Sequence, residues 1–289
     1  MQLLVILLIL VTAITHASWN GIAKVSKNIL ALMWWSTVFG TVGYGVWLAN
    51  GLGIFLSPSS RIPFLISAIC ETGYFVTLVK GYSHGDLSLV YPISRGSAPI
   101  FAALLGAAAL AESLPLVGYV GVFLMVAGVF VASQPIEQSK IRFGFSSIVG
   151  DRAVAYALAS GVFIGIYSVT DKMAVAATNP LVYNWWVFAG NAILWAPFVW
   201  RRSYFKANLD ELRNNWLGVI IVGALSLGSY ALALAALALT SASYVVAGRG
   251  LSVIFGACIG SFMLKEKFGT VRIIGATLMV AGLALIAFS

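Results

Sequence analysis

Several residues suited to polar chemistry lie inside apolar runs, where they are costly and need a reason. His16, Trp19 and Asn20 are spaced three and four apart, which puts them on one face of a helix. Histidine titrates near neutral pH, asparagine binds polar groups, and a deep tryptophan can stack on a bound molecule. The same cluster would equally serve as an interhelical hydrogen-bond group that fixes packing. Glu71 is the acid nearest the middle of a run. It is a candidate carrier of a coupling proton, as His16 is, and also a candidate mate for a buried arginine. Arg95 and Arg249 stay charged at any physiological pH. Two fixed cations facing a cavity favour a carboxylate or a phosphate. Alternatively each locks its own surroundings through freed carbonyls or through Glu71. Tyr91 stands one turn before Arg95, and Tyr167 stands four residues before Asp171. Pro92 and Pro99 cannot donate to the carbonyls of Ser88 and Arg95, so a helix break or kink is expected around Arg95. Its counterpart, Arg249, has Gly248 and Gly250 beside it and no proline.

The elements that carry these residues follow from composition. The chain has 289 residues, 61% hydrophobic and 9% charged. A soluble domain carries about 25% charged residues, so a soluble enzyme and a disordered chain are both excluded. Ten apolar runs are expected to span a bilayer as helices: 2–23, 30–50, 62–80, 87–111, 115–133, 151–172, 181–200, 215–237, 240–264 and 270–288. Each can cross about 30 Å of hydrocarbon. Helix is the expected form because backbone groups must be satisfied within each span and no barrel-like alternation occurs. The first run lacks the basic start of a signal peptide. The longest polar connections, 134–150 and 201–214, are too short for a folded extramembrane domain. Most tryptophans lie near run ends, as an interfacial belt would place them. Cys70 and Cys258 lie inside apolar runs and read as small core residues.

The net charge of +8 is a topology signal and does not point to nucleic acid. Thirteen of the 17 Lys and Arg residues fall in connections after odd-numbered runs, against Arg61 and Lys172 after even-numbered ones. The positive-inside rule then puts both termini outside the cytoplasm. Asp171 and Lys172 read as an interfacial pair. There is no GxxxxGK[ST] motif for ATP drive, no HExxH, and no nucleophile with a base at suitable spacing. No enzyme activity, metal or cofactor is therefore expected.

The chain also repeats itself. Residues 95–128 match 249–282 at 15 of 34 positions without a gap, where so biased a composition would give roughly four. Arg95-Gly96 meets Arg249-Gly250, Glu112 meets Glu266, and Leu124-Met125-Val126-Ala127-Gly128 returns as Leu278-Met279-Val280-Ala281-Gly282. This divides the chain into a five-helix repeat at 1–133, a linker at 134–150 and a second five-helix repeat at 151–289. Five is odd, so the second repeat enters from the opposite side. The expected fold is an all-α integral membrane protein of ten transmembrane helices in two inverted repeats. Secondary transporters commonly have that layout, with a site near the midplane. Gly121 and Gly128, like Gly275 and Gly282, are seven apart and stack on one face. They are expected to pack helices within each repeat or at a dimer contact.

On these residues the chain resembles EamA-type members of the drug/metabolite transporter superfamily. The resemblance rests on the 5+5 layout, on His16-Ala17-Ser18-Trp19-Asn20 followed by Lys24, on Tyr91-Pro92-Ile93-Ser94-Arg95-Gly96, and on the Glu112 and Glu266 turns. It implies a ten-helix exporter or facilitator of small metabolites, such as amino acids, amines or organic acids, and both termini in the cytoplasm. The expected function is a secondary transporter of a small polar metabolite, amino acid-like or carboxylate-bearing, working by alternating access. The alternative is a flippase for a lipid or lipid-linked carrier on the same scaffold. The expected substrate-binding set is His16, Trp19, Asn20, Glu71, Tyr91, Arg95, Tyr167 and Arg249. Glu71 and His16 are the proton-coupling candidates. The expected partners are a small molecule and the bilayer of the cell's inner (plasma) membrane, and the expected state is a monomer or homodimer.

Overall fold

A computed structural model describes residues 2–111, 115–132, 136–137, 140–141, 150–201, 205–250, 252–253, 255 and 270–288. Almost all of these are helical, as burial in hydrocarbon demands of a backbone that has no water to bond. In chain order the helices are α1 (Gln2–Val25), α2 (Ile29–Asn50), α3 (Arg61–His84), α4 (Leu87–Leu110) and α5 (Leu116–Ala132), then α6 (Arg152–Val175), α7 (Pro180–Val199), α8 (Phe205–Asn214), α9 (Trp216–Leu239), α10 (Ala242–Arg249) and α11 (Thr270–Phe288). Strands β1 (Ile136–Glu137) and β2 (Lys140–Ile141) pair antiparallel in the connection between α5 and α6. Among the described residues six helices are long and apolar enough to cross a membrane: α1, α2, α3, α4, α6 and α9. Helices α5 and α11 are shorter apolar helices. Of the run expected at 240–264, positions 251, 254 and 256–264, with Cys258, lie outside the described residues, as do Glu112 and Glu266.

The chain forms two compact units, and the division falls inside α3 and α6. One unit is Met1–Thr72 with Thr170–Thr240; the other is Gly73–Val169 with Ser241–Ser289.

In the first unit α1 packs on α9, and α2 packs on α9 and α7. Asn28 and Asn179 cap α2 and α7, each side chain accepting from a backbone N–H in the first turn. Trp34 Nε1 donates to the Ala192 carbonyl at 2.9 Å, and Trp185 Nε1 donates to the Thr41 carbonyl at 3.0 Å. A shift of 151 residues carries Trp34 onto Trp185 and Thr41 onto Ala192. The two bonds are thus reciprocal across an antiparallel helix pair. This corrects the belt reading for Trp34 and also for Trp195, both buried. Trp47, Trp200 and Trp216 do stay exposed. The sequence reading also missed α8, a short amphipathic helix in the 201–214 connection. Its buried Glu211 accepts from Ser26 Oγ and Asn215 Nδ2, each at 2.7 Å, and its Asn208 carbonyl accepts from Trp35 Nε1 at 3.3 Å. The stripe Phe205, Leu209, Leu212 was its available signal.

In the second unit α5 and α11 run against each other, and glycine sets their spacing. A β-carbon on Gly121 would lie 2.6 Å from the Gly282 carbonyl oxygen, and one on Gly128 would lie 2.7 Å from that of Gly275. A shift of 154 carries Gly121 onto Gly275 and Gly128 onto Gly282, so these contacts are reciprocal too. The glycine faces therefore join the last helix of one sequence half to the last helix of the other. That corrects the expectation of packing within a repeat or at a dimer contact. Helix α4 likewise corrects the expected break, since it runs unbroken through Pro92 and Pro99. Each proline removes one donor, and the rest of the ladder, within a buried helix, carries the turn.

Replacing Gly128 by Leu should destabilise the protein by about 1–3 kcal/mol, because it opposes backbone that cannot yield. Gly43→Ala has open space around its β-carbon and should be neutral or stabilising by up to about 1 kcal/mol. Unfolding of both variants in detergent micelles tests the contrast.

Candidate functional site

Two buried polar clusters stand out, one in each unit. In the first unit the centre is Asp171, near the end of α6, which has no exposed surface. Its Oδ1 accepts from Ser67 Oγ of α3 at 2.6 Å and from Tyr183 OH of α7 at 2.9 Å. Its Oδ2 accepts from Tyr230 OH of α9. One carboxylate thus receives hydroxyls from three other helices. Its neighbour Lys172 does something different: Nζ donates to the carbonyls of Leu237 at 2.6 Å and Thr240 at 2.7 Å, closing the C-terminal end of α9. Asp171 is thus buried where an interfacial position was expected, and the two neighbours bond to different elements.

One turn along α3 from Ser67, buried Glu71 accepts from Asn191 Nδ2 of α7. The same amide accepts from Thr72 Oγ1 at 2.9 Å, which fixes which way it points. Asn191, Tyr183 and Tyr230 were not singled out by sequence, although each interrupts an apolar run. On α1, His16, Trp19 and Asn20 are all buried on one face as expected. The His16 and Trp19 rings meet edge-on, with centroids 4.7 Å apart. Asn20 Nδ2 donates back to the His16 carbonyl at 2.8 Å.

The second unit holds the cations. Arg95 on α4 and Arg249 at the end of α10 are 3% and 4% exposed, which for arginine demands a prepared setting. Aromatic hydroxyls supply much of it. Arg95 Nη2 donates to Tyr74 OH at 3.5 Å, and its guanidinium carbon stands 5.7 Å from the Tyr74 ring centroid. The Tyr74 ring meets that of Tyr167 edge-on at 6.1 Å. Both arginines lie within electrostatic reach of Tyr74 and Tyr91. Of the expected residues, Tyr91, Arg95, Tyr167 and Arg249 thus belong to one cluster. Tyr74 joins it unannounced; its signal was its place three residues after Glu71. Ser94 Oγ and Ser160 Oγ, 2.7 Å apart, tie α4 to α6 beside it. A cationic, hydroxyl-rich cluster suits an anionic group. Among the described residues no three His, Cys, Asp or Glu side chains converge as metal ligands.

The hydroxyl clamp on Asp171 has a measurable consequence. Asp171→Leu leaves three buried hydroxyls without their acceptor and should cost about 3 kcal/mol or more, whereas Tyr230→Phe should cost about 1–2 kcal/mol. Chemical denaturation of both variants in the same micelles reads the difference.

Comparison with known proteins adds the family. One solved crystal structure superposes on this chain with a TM-score of 0.67, covering 99% of this chain and 96% of its own at 16% identity. At that identity the likeness concerns the fold alone. No curated protein matches the sequence. The family model described as the EamA-like transporter family matches residues 151–288. Its membrane-length helices make the chain a multi-pass membrane protein, and its second half matches the EamA-like transporter family of the drug/metabolite transporter superfamily.

Proposed function

We propose that the protein is a secondary transporter, an exporter or facilitator, of a small polar metabolite that carries a carboxylate, with amino acid-like compounds first in line. The observation that carries this reading is the pair of buried arginines, Arg95 and Arg249, set among Tyr74, Tyr91 and Tyr167. A fixed guanidinium away from bulk water binds a carboxylate far better than one at the surface does. His16, Trp19, Asn20 and Glu71 are proposed as further substrate contacts. Glu71, held by Asn191, and His16 are the groups proposed to carry a coupling proton.

The mechanism proposed is alternating access between two inverted five-helix repeats, 1–133 and 151–289, joined by 134–150. The reciprocal Trp34–Ala192 and Trp185–Thr41 bonds support it. So do the reciprocal Gly121–Gly282 and Gly128–Gly275 approaches. Each is what a two-fold axis relating equivalent, oppositely directed helices produces. The charge bias orients the protein in the cell's inner membrane with both termini outside. Amphipathic α8, with Lys206 and Arg213, would then lie on the cytoplasmic face.

A thermal-shift screen of purified protein with metabolites grouped by charge tests the reading. A carboxylate ligand at 100 times its Kd should stabilise the fold by about 2.7 kcal/mol. Arg95→Ala and Arg249→Ala should abolish that shift, and Trp47→Ala should keep it. Stabilisation by lipids alone, with none from any soluble metabolite, would replace this reading by a lipid or lipid-linked-carrier flippase. In vesicles, Glu71→Gln should lose pH-driven accumulation while keeping exchange; accumulation that ignores pH in the wild type would remove proton coupling and leave facilitation.

A further inference from the structure

Beside the first turn of α3, within the first unit, lies a pocket of about 790 Å³ that the transport reading leaves unused. That volume is in the range of about 300–1,000 Å³ typical of small-molecule sites. Its walls include Ile54, Phe55, Phe64, Leu65 and Trp186, with a single cation, Arg61. The wall is built into the fold. Trp186 Nε1 donates to the Ile54 carbonyl at 2.9 Å. Gly53, at φ +74°, turns the chain out of α2, and its N–H returns to the Leu48 carbonyl at 2.8 Å. Even so, Phe55 is 75% exposed and Leu65 is 55% exposed. Among the described residues the Arg61 guanidinium makes no hydrogen bond or ion pair, while its backbone N–H donates to the Pro58 carbonyl. The exposed Ser57 and Ser59 hydroxyls, 3.0 Å apart, stand just ahead of it in the chain.

Depth identifies the occupant. Helix α3 has 24 residues, about 36 Å at 1.5 Å per residue. The hydrocarbon core is about 30 Å thick, so the first residue, Arg61, sits at headgroup level while Phe64 and Leu65 reach one turn deeper. We propose that this pocket binds an anionic phospholipid, with its phosphate on Arg61 and one acyl chain against Phe55, Phe64 and Leu65. The guanidinium matches the phosphate in charge and in its forked donors. An acyl chain fills the apolar wall without bringing polar groups that need partners. A peptide segment would bring its backbone donors and acceptors to a wall that offers a single cation.

The full chain, stripped of lipid in detergent, can be titrated with phosphatidylglycerol by native mass spectrometry. Diacylglycerol serves as chains without phosphate, and glycerol phosphate as phosphate without chains. Phosphatidylglycerol should bind more tightly than either. Arg61→Gln should weaken it about fivefold, the ratio expected for one cation against an anionic lipid. Arg61→Lys should restore most of the loss, and Phe55→Ala should weaken phosphatidylglycerol binding without changing the thermal stability of the lipid-free protein. The proposal is overturned if Arg61→Gln leaves phosphatidylglycerol affinity unchanged. It is equally overturned if diacylglycerol binds as well as phosphatidylglycerol, or if glycerol phosphate alone matches it.

Discussion

A polar group buried in this protein is costly unless it finds a partner inside the protein, because hydrocarbon offers none. Asp171 shows what that constraint produces. Its carboxylate has no exposed surface and gathers hydroxyls from Ser67, Tyr183 and Tyr230 on three other helices. The helices of the first unit share little shape specificity by apolar contact alone, since lipid tails are as apolar as leucine. A single acceptor with three directional partners gives α3, α6, α7 and α9 one register. The Glu71–Asn191–Thr72 chain repeats the device one turn along α3.

The second unit solves the same problem with opposite charge. Tyrosine rings and hydroxyls gather around the buried guanidiniums of Arg95 and Arg249. Among the described residues the buried carboxylates, Glu71, Asp171 and Glu211, lie in one unit and the buried guanidiniums, Arg95 and Arg249, in the other. Close backbone approach does the remaining work where no polar group is available. Gly121, Gly128 and Gly282 let α5 and α11 meet at distances that no β-carbon tolerates.

Reciprocity links the two units to the proposed mechanism. A duplicated sequence inserted in opposite directions brings equivalent helices together antiparallel, so each contact has a mirror partner at the repeat interval. The Trp34 and Trp185 bonds obey an interval of 151, and the glycine contacts one of 154. A scaffold with two nearly equal arrangements of equivalent parts is what alternating access requires.

The sequence by itself marked the membrane, the long apolar helices and the internal repeat of residues 95–128 at 249–282. Each is a property of runs of residues: apolar length, the excess of Lys and Arg on alternate connections, and matched strings such as Leu124-Met125-Val126-Ala127-Gly128. It also marked Arg95, Arg249 and Glu71, because an ionisable group in an apolar run is conspicuous. Partnership was beyond its reach. Asp171 stood at the edge of its run beside Lys172, and side-by-side opposite charges read as an interfacial pair; the tertiary structure buries Asp171 among Ser67, Tyr183 and Tyr230 and sets Lys172 on the end of α9. Trp34 read as a belt residue for the same reason, and the prolines of α4 read as a break that the buried helix does not make. Hydrogen bonds across more than a hundred residues depend on which helix faces meet, and that is decided by packing in three dimensions, where no spacing along the chain records it.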